Sequence, residues 1–183
     1  DQGFDAFFMG IGSQECKSLG IEGEGLEGVV PGVDFLRRVN LGEKIHLGDR
    51  VAVIGGGNVA MDAVRTALRC GSAKPFILYR RSEAEMPANV EEIKECREEG
   101  IEIMPLTTPV RVIGENGKIK AIECIKMELG EPDASGRRRP VPIEGSETLL
   151  ETDMVITAIG QAPDISFTKE TKEKLAELKT TRW

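Results

Sequence analysis

Apolar residues in this chain follow two rhythms, short unbroken runs and strict alternations, and the change from one to the other divides it. The clearest run, Val51-Ala52-Val53-Ile54, ends in Gly55-Gly56-Gly57, the pattern of a buried strand entering a glycine turn. Val59, Ala60, Ala63, Val64, Ala67 and Leu68 then share one helical face, with Gly71 placed to close the helix. A second run, Pro75 to Tyr79, brings Arg80 and Arg81 to its carboxyl end. Ser82 to Met86 reads as a turn. Pro87 starts or closely precedes a helix to about Glu99, with Val90, Ile93 and Cys96 inward and Glu91, Glu92, Glu95 and Glu98 outward. Gly100 ends it, and Ile101 to Met104 is a third strand. This βαβαβ succession predicts half of a doubly wound sheet, with strand order 3-2-1 and a right-handed first crossover.

On either side the pattern differs. Phe4 to Ile11 reads as an apolar strand covered on both faces. The glycine-punctuated stretch from Gly20 to Gly32 reads as a surface linker, and Asp34 is placed to cap a short helix, Phe35 to Asn40. Beyond Pro109 the rhythm becomes alternating: Val110 to Ile113, a hairpin signal at Glu115-Asn116-Gly117, and Ile119 to Met127. Leu129 to Arg139 reads as a polar loop and Glu147 to Glu151 as a short third strand. Met154 to Gly160 is again an unbroken run, expected to rejoin the parallel sheet beside the first strand. The fold class that follows is α/β: a Rossmann-like three-layer NAD(P)-binding domain with a parallel sheet and an antiparallel β-meander as crossover. The expected domain limits are 1–32 for an entering strand and linker, 33–160 for the nucleotide domain and 161–183 for a return segment. The charged tail, Thr168 to Trp183, is weakly amphipathic and suggests a chain that continues into something larger.

The glycines point to a dinucleotide. Gly55 permits the tight turn, Gly56 continues it, Gly57 allows close approach of a pyrophosphate, and Ala60 permits close helix packing. Backbone N–H groups near Asn58 and Val59 would face the phosphates together with the helix dipole. The competing reading is a glycine turn over an empty crevice. About 20 residues past the glycines, an acidic residue favours a free ribose 2′-hydroxyl and arginine a 2′-phosphate. Arg80 and Arg81 stand there, so NADP(H) is preferred over NAD(H), against the alternative of two solvated arginines at a strand end. Ala158, Ile159 and Gly160 would lie across the crevice, where the glycine could admit the nicotinamide half or simply end a strand.

Composition narrows partners rather than fold. With 183 residues, 40% hydrophobic and 30% charged, the chain has an ordinary globular composition. A net charge of −7 argues against nucleic-acid binding, and no apolar run approaches the ~20 residues of a membrane span. Nothing at Asp1-Gln2-Gly3 reads as a cleavable signal. Cys16, Cys70, Cys96 and Cys124 lack a C-x-x-C pair and read as free thiols of a reducing cytoplasm, with no metal site expected. His46 reads as structural or solvated, and Arg137-Arg138-Arg139 as a solvated loop tip or a phosphate-holding run.

GGGNVAMDAVRTALR at Gly55 to Arg69, YRRSEAEMPA at Tyr79 to Ala88 and ETDMVITAIGQAPD at Glu151 to Asp164 together resemble the pyridine-nucleotide domain of the glutamate synthase small-subunit family, among the two-dinucleotide-domain flavoproteins. FDAFFMGIG at Phe4 to Gly12 and GIEGEGLEGV at Gly20 to Val29 resemble that family's exit from the flavin domain. The resemblance implies an enzyme in which hydride passes directly between NADP(H) and FAD, so no protein acid or base is required. It implies that Gly55, Gly57, Asn58 and Val59 hold the pyrophosphate, Arg80 and Arg81 the 2′-phosphate, and Ala158 to Gly160 border the nicotinamide path. The sequence carries one glycine fingerprint and no cluster-spaced cysteines, so FAD is not expected in this chain and the isolated chain is expected to be inactive. Implied partners are a flavin domain of the same polypeptide and an iron–sulfur or glutamate synthase large-subunit partner, with homo-oligomers through exposed strands possible on physical grounds. A non-catalytic dinucleotide-sensing or assembly domain is the alternative.

Overall fold

The computed structural model describes residues 10–134 and 136–164, together with Gly3 and Phe8. They fall into two units, one made by Asp1–Lys17 with Gly160–Trp183 and the other by Ser18–Ile159. In the first, the two-residue strands β1 (Glu15–Cys16) and β11 (Gln161–Ala162) pair antiparallel. The strand expected over Phe4 to Ile11 lies largely outside the described residues, as does the tail from Thr168.

The second unit contains, in chain order, β2 (Val29–Pro31), α1 (Gly32–Asn40), β3 (Val51–Ile54), α2 (Asn58–Arg69), β4 (Phe76–Leu78), a 3₁₀ turn (Glu83–Glu85), α3 (Val90–Glu98) and β5 (Glu102–Met104). There follow β6 (Thr107–Glu115), β7 (Lys118–Pro132), β8 (Arg138–Pro142), β9 (Thr148–Glu151) and β10 (Met154–Thr157). The parallel sheet has the order β2-β10-β3-β4-β5, which contains the expected 3-2-1 run with the returning strand beside the first.

Alternation across this sheet separates two cores. Val51, Val53, Ile77, Ile103 and Ile156 face the helices and pack with Phe35, Met61, Val64 and Cys96. Ala52, Ile54, Phe76, Leu78 and Val155 face the other way, onto Val112, Ile119, Ile122 and Cys124 of the antiparallel layer. Strands buried on both faces must be apolar at every position, which is why β3, β4 and β10 read as unbroken runs. The meander covers one face only and therefore alternates. At its hairpin Asn116 and Gly117 have φ of 53° and 80°, the left-handed pair that a two-residue turn requires.

Four expectations need correction. Val29 to Pro31, expected within a linker, form the parallel edge strand β2, because Val29 and Val30 have β10 on one side to pair with. Helix α1 begins at Gly32 with Pro31 at its N-cap, and Asp34 lies in its first turn rather than before it. Val90, at the first position of α3, is 75% exposed, and the buried residues of that helix are Ile93 and Cys96. The Leu129–Arg139 loop is mostly strand: β7 continues to Pro132 and β8 starts at Arg138, joined by a tight tip.

Candidate functional site

At the carboxyl edge of the parallel sheet, Ile54 leads directly into the glycine turn and α2. Gly55 has φ of +144°, and a Cβ there would lie 2.3 Å from the Ala158 carbonyl oxygen, so only glycine fits. At Gly56 a Cβ would meet the Tyr79 ring at 2.6 Å. Gly57 is different: its φ is −97°, and the nearest atom to an added Cβ is Pro87 Cγ at 3.8 Å. Nothing within the described chain requires glycine at 57, so the missing side chain leaves room on the outer side of the turn.

The turn is braced from behind. Tyr79, buried beneath Gly56, donates its hydroxyl to the Glu85 carbonyl at 2.8 Å. The Ala88 N–H donates to the Gly56 carbonyl at 3.1 Å, and the Asn89 N–H to Asn58 Oδ1 at 3.0 Å. Thus the Met86–Asn89 segment, which sequence reasoning treated only as a helix approach, holds the glycine turn in place.

Helix α2 has no side-chain cap and no acidic residue in its first turn. By contrast, α1 carries Asp34 and α3 carries Glu91 and Glu92 in the first turn, where carboxylates offset the helix dipole. The N–H groups of Asn58 and Val59 precede the first intrahelical bonds, so they are oriented outward without a helical acceptor. This end of α2 is electropositive and open beside Gly57, a geometry suited to an anion.

The two arginines after β4 take opposite environments. Arg80 is exposed, and among the described residues no side-chain hydrogen bond or ion pair engages it. The Arg81 side chain is only 6% exposed: its Nη2 lies 3.0 Å from Asp133 Oδ2, and its Nε donates to the Arg138 carbonyl at 2.7 Å. The Leu106 N–H donates to the Arg81 carbonyl and the Thr107 N–H to that of Tyr79, so β6 pins this strand end from its other side. Glu85 completes the arrangement by accepting from the Ser82 N–H and Oγ and from the Arg138 N–H at 3.2 Å. Partial desolvation works to raise the Glu85 carboxyl, but the Ser82 and Arg138 hydrogen bonds prevail and hold it below its ordinary value.

Ala158 joins the turn: its N–H donates to the Ile54 carbonyl at 2.8 Å, and Ile159 packs partly against the core beneath the meander. Gly160 belongs to the other unit, where its carbonyl accepts from the Lys17 N–H at 3.2 Å. Sequence reasoning missed the start of α1. A Cβ on Gly32 would lie 3.3 Å from Val59 Cγ1 and 3.4 Å from the Thr157 carbonyl, so this second helix mouth abuts the first. The available signal was Pro31-Gly32 after two valines, a strand followed by a helix start. The Arg137–Arg139 run is not a free tip, since Arg138 donates from Nη2 to the Leu129 carbonyl at 2.6 Å. His46 is exposed, and no metal-binding cluster of His, Cys, Asp or Glu occurs among the described residues. Nor is any helix among them long and apolar enough to cross a membrane.

Residues 1–181 match the family described as pyridine nucleotide-disulphide oxidoreductase. The chain is 49% identical over 170 residues to the NADPH-Fe(3+) oxidoreductase subunit beta of Geobacter sulfurreducens, covering 91% of this chain and 25% of that protein. It is 48% identical to the NADP(+)-dependent formate dehydrogenase subunit beta of Moorella thermoacetica, over 90% of this chain and 24% of that protein. The glutamate synthase [NADPH] small chain of Escherichia coli is 38% identical, over 87% and 36% respectively. The chain therefore spans about a quarter to a third of the relatives it matches. In fold it resembles Mycobacterium tuberculosis FprA, solved in complex with NADPH, with a TM-score of 0.70 at 20% identity over 82% of this chain and 49% of that one. Thioredoxin reductase of T. acidophilum gives a TM-score of 0.64 at 21% identity, over 91% and 47%.

Proposed function

The chain belongs to the pyridine nucleotide-disulphide oxidoreductase family, and on that premise we propose that it is the NADPH-binding module of a flavin-dependent oxidoreductase. The observation that carries this reading is the mouth of α2, the helix start among the three that has neither a side-chain cap nor a first-turn carboxylate. Gly57 leaves space there that its own fold does not need. A pyrophosphate placed at Gly55, Gly56 and Gly57 would accept from the N–H groups of Asn58 and Val59 and be stabilised by the helix dipole. Arg80, exposed at the tip of the adjacent strand, would pair with the adenosine 2′-phosphate, and Arg81 supports the same recognition from beneath. Ala158 and Ile159 would border the path of the nicotinamide.

When bound, NADPH supplies a hydride, and the residues assigned to it bind and orient rather than exchange protons. We place the flavin acceptor in parts of the whole protein beyond this chain, since the sequence carries one glycine fingerprint. Residues 1–32 and 161–183 are then the connections to that flavin domain. Relatives named as NADPH-dependent oxidoreductase subunits support this reading. These relatives are named as a subunit or a small chain, which supports a further subunit as partner of the whole protein.

Titration of the whole protein with NADPH and NADH tests the cofactor. NADPH should bind at least about tenfold tighter, a difference of about 1.4 kcal/mol, and equal affinities would remove the role given to the arginines. Addition of NADPH should also bleach a flavin absorption band. A colourless protein that still binds NADPH would instead be a nucleotide sensor.

A further inference from the structure

The tip joining β7 to β8 is tied to the strand end that carries Arg80, although α3, β5, β6 and β7 lie between Arg81 and Asp133 along the chain. Asp133 does two things at once. Its N–H donates to the Arg137 carbonyl at 2.7 Å, its carbonyl accepts from the Gly136 N–H at 2.9 Å, and its Oδ1 accepts from the Arg137 N–H at 3.3 Å, which folds the tip. Its other carboxylate oxygen grips Arg81. The Arg138 carbonyl and N–H extend the grip to Arg81 Nε and to Glu85. The segment from Tyr79 to Glu85 is therefore held by β6 along its main chain, by the Ser82–Glu85 box at its end, and by the hairpin tip through Arg81.

We propose that Asp133 is a specificity-determining positioning residue: by clamping Arg81, it fixes the backbone from which Arg80 reads the 2′-phosphate. The proposal rests on the reading of this site as an NADPH site. Two adjacent arginines at a strand end point to opposite sides, so one can be buried as an anchor while its neighbour faces solvent. A long side chain must be ordered when it pairs with a phosphate, and a backbone already fixed lowers that cost. The carboxylate also offsets the charge of Arg81, which leaves Arg80 as the cation that discriminates. The division of labour follows from the two exposures: the clamp covers the Arg81 guanidinium and leaves that of Arg80 free to reach a ligand.

The test compares adenosine 2′,5′-bisphosphate with adenosine 5′-monophosphate, both titrated against the whole protein. Asp133→Asn should lower the preference for the bisphosphate by about tenfold while affinity for the monophosphate stays unchanged. Asp133→Glu should restore most of the preference. Arg81→Gln, which removes the clamped cation while Arg80 remains, should lower the preference by no more than Asp133→Asn does, with hydrogen exchange across residues 130–139 read alongside. A larger loss of preference in Arg81→Gln than in Asp133→Asn, at matched exchange, would mean that Arg81 touches the phosphate itself, and this overturns the proposal. Tighter bisphosphate binding by Asp133→Asn would show the carboxylate to be a competitor, with the same consequence. A wild-type protein indifferent to the 2′-phosphate would sink the NADPH reading and the proposal with it, whereas loss of preference on Arg80→Ala but not on Asp133→Asn would sink the proposal alone.

Discussion

Single residues in the turn illustrate how differently three adjacent glycines are constrained. Gly55→Ala combines a positive φ with overlap against the Ala158 carbonyl, and should cost about 3 kcal/mol or more of stability by the usual scale of backbone strain and overpacking. Thermal or denaturant unfolding measures this, and a loss below about 1 kcal/mol would contradict the tight contact between the turn and the end of β10. Gly57→Ala meets no such obstacle. It should leave stability within about 0.5 kcal/mol of wild type yet weaken NADPH binding, because the new methyl group enters the space assigned to the pyrophosphate. Unfolding and titration on the same preparation separate these effects. The motif could be read from the chain, but which glycine serves the fold and which leaves room for a ligand depends on neighbours remote in sequence, Ala158 and Tyr79.

At the scale of elements, α2 and α3 are joined by Arg65, which pairs with Glu95 at 2.6 Å and with Glu99 at 2.7 Å, and by Arg69, which pairs with Glu99 at 2.8 Å. This ion network ties the carboxyl-terminal part of α2 to the carboxyl-terminal end of α3. The Arg65 hydrogen bond, joined by that from Arg69, outweighs desolvation and holds the Glu99 carboxyl below its ordinary value. A depressed folded pKa contributes stability that is complete above the unfolded value of about 4.3 and disappears as pH falls through the folded one. Glu99→Gln should therefore flatten the dependence of Tm on pH in that acidic window. At neutral pH the same variant should lower Tm by about 2–4 °C for each kcal/mol lost. An unchanged acid limb would show that the network contributes nothing measurable. None of these pairings is visible as a local pattern, because Arg65 and Glu99 belong to different helices.

The molecule as a whole presents two independent reporters of its layers. Cys96 is buried on the helix-facing side of the parallel sheet and Cys124 on the meander-facing side. Burial in apolar surroundings pushes their thiols up to about 11 and about 12 respectively. Neither should react with iodoacetamide at neutral pH in the folded protein, while exposed Cys70 is accessible to the reagent. In increasing urea both buried thiols should become reactive with one midpoint, as expected if the three layers unfold cooperatively. Earlier labelling of Cys124 would show that the antiparallel layer separates first.

From its residues alone, the chain determined the βαβαβ succession, the three-strand run of the parallel sheet and the place of the glycine turn. These depend on periodicity and on backbone freedom, which are local properties. It also determined that Arg80 and Arg81 follow closely on β4, on the carboxyl side of the parallel sheet. Only tertiary structure decided that Val29 to Pro31 are a strand, since an edge strand of three residues is defined by its partner β10. Likewise the roles of the two arginines diverged only when the hairpin tip, more than fifty residues further along the chain, came to rest on one of them. Chain neighbours share a sequence context, but burial and pairing are set by what folds back upon each side chain.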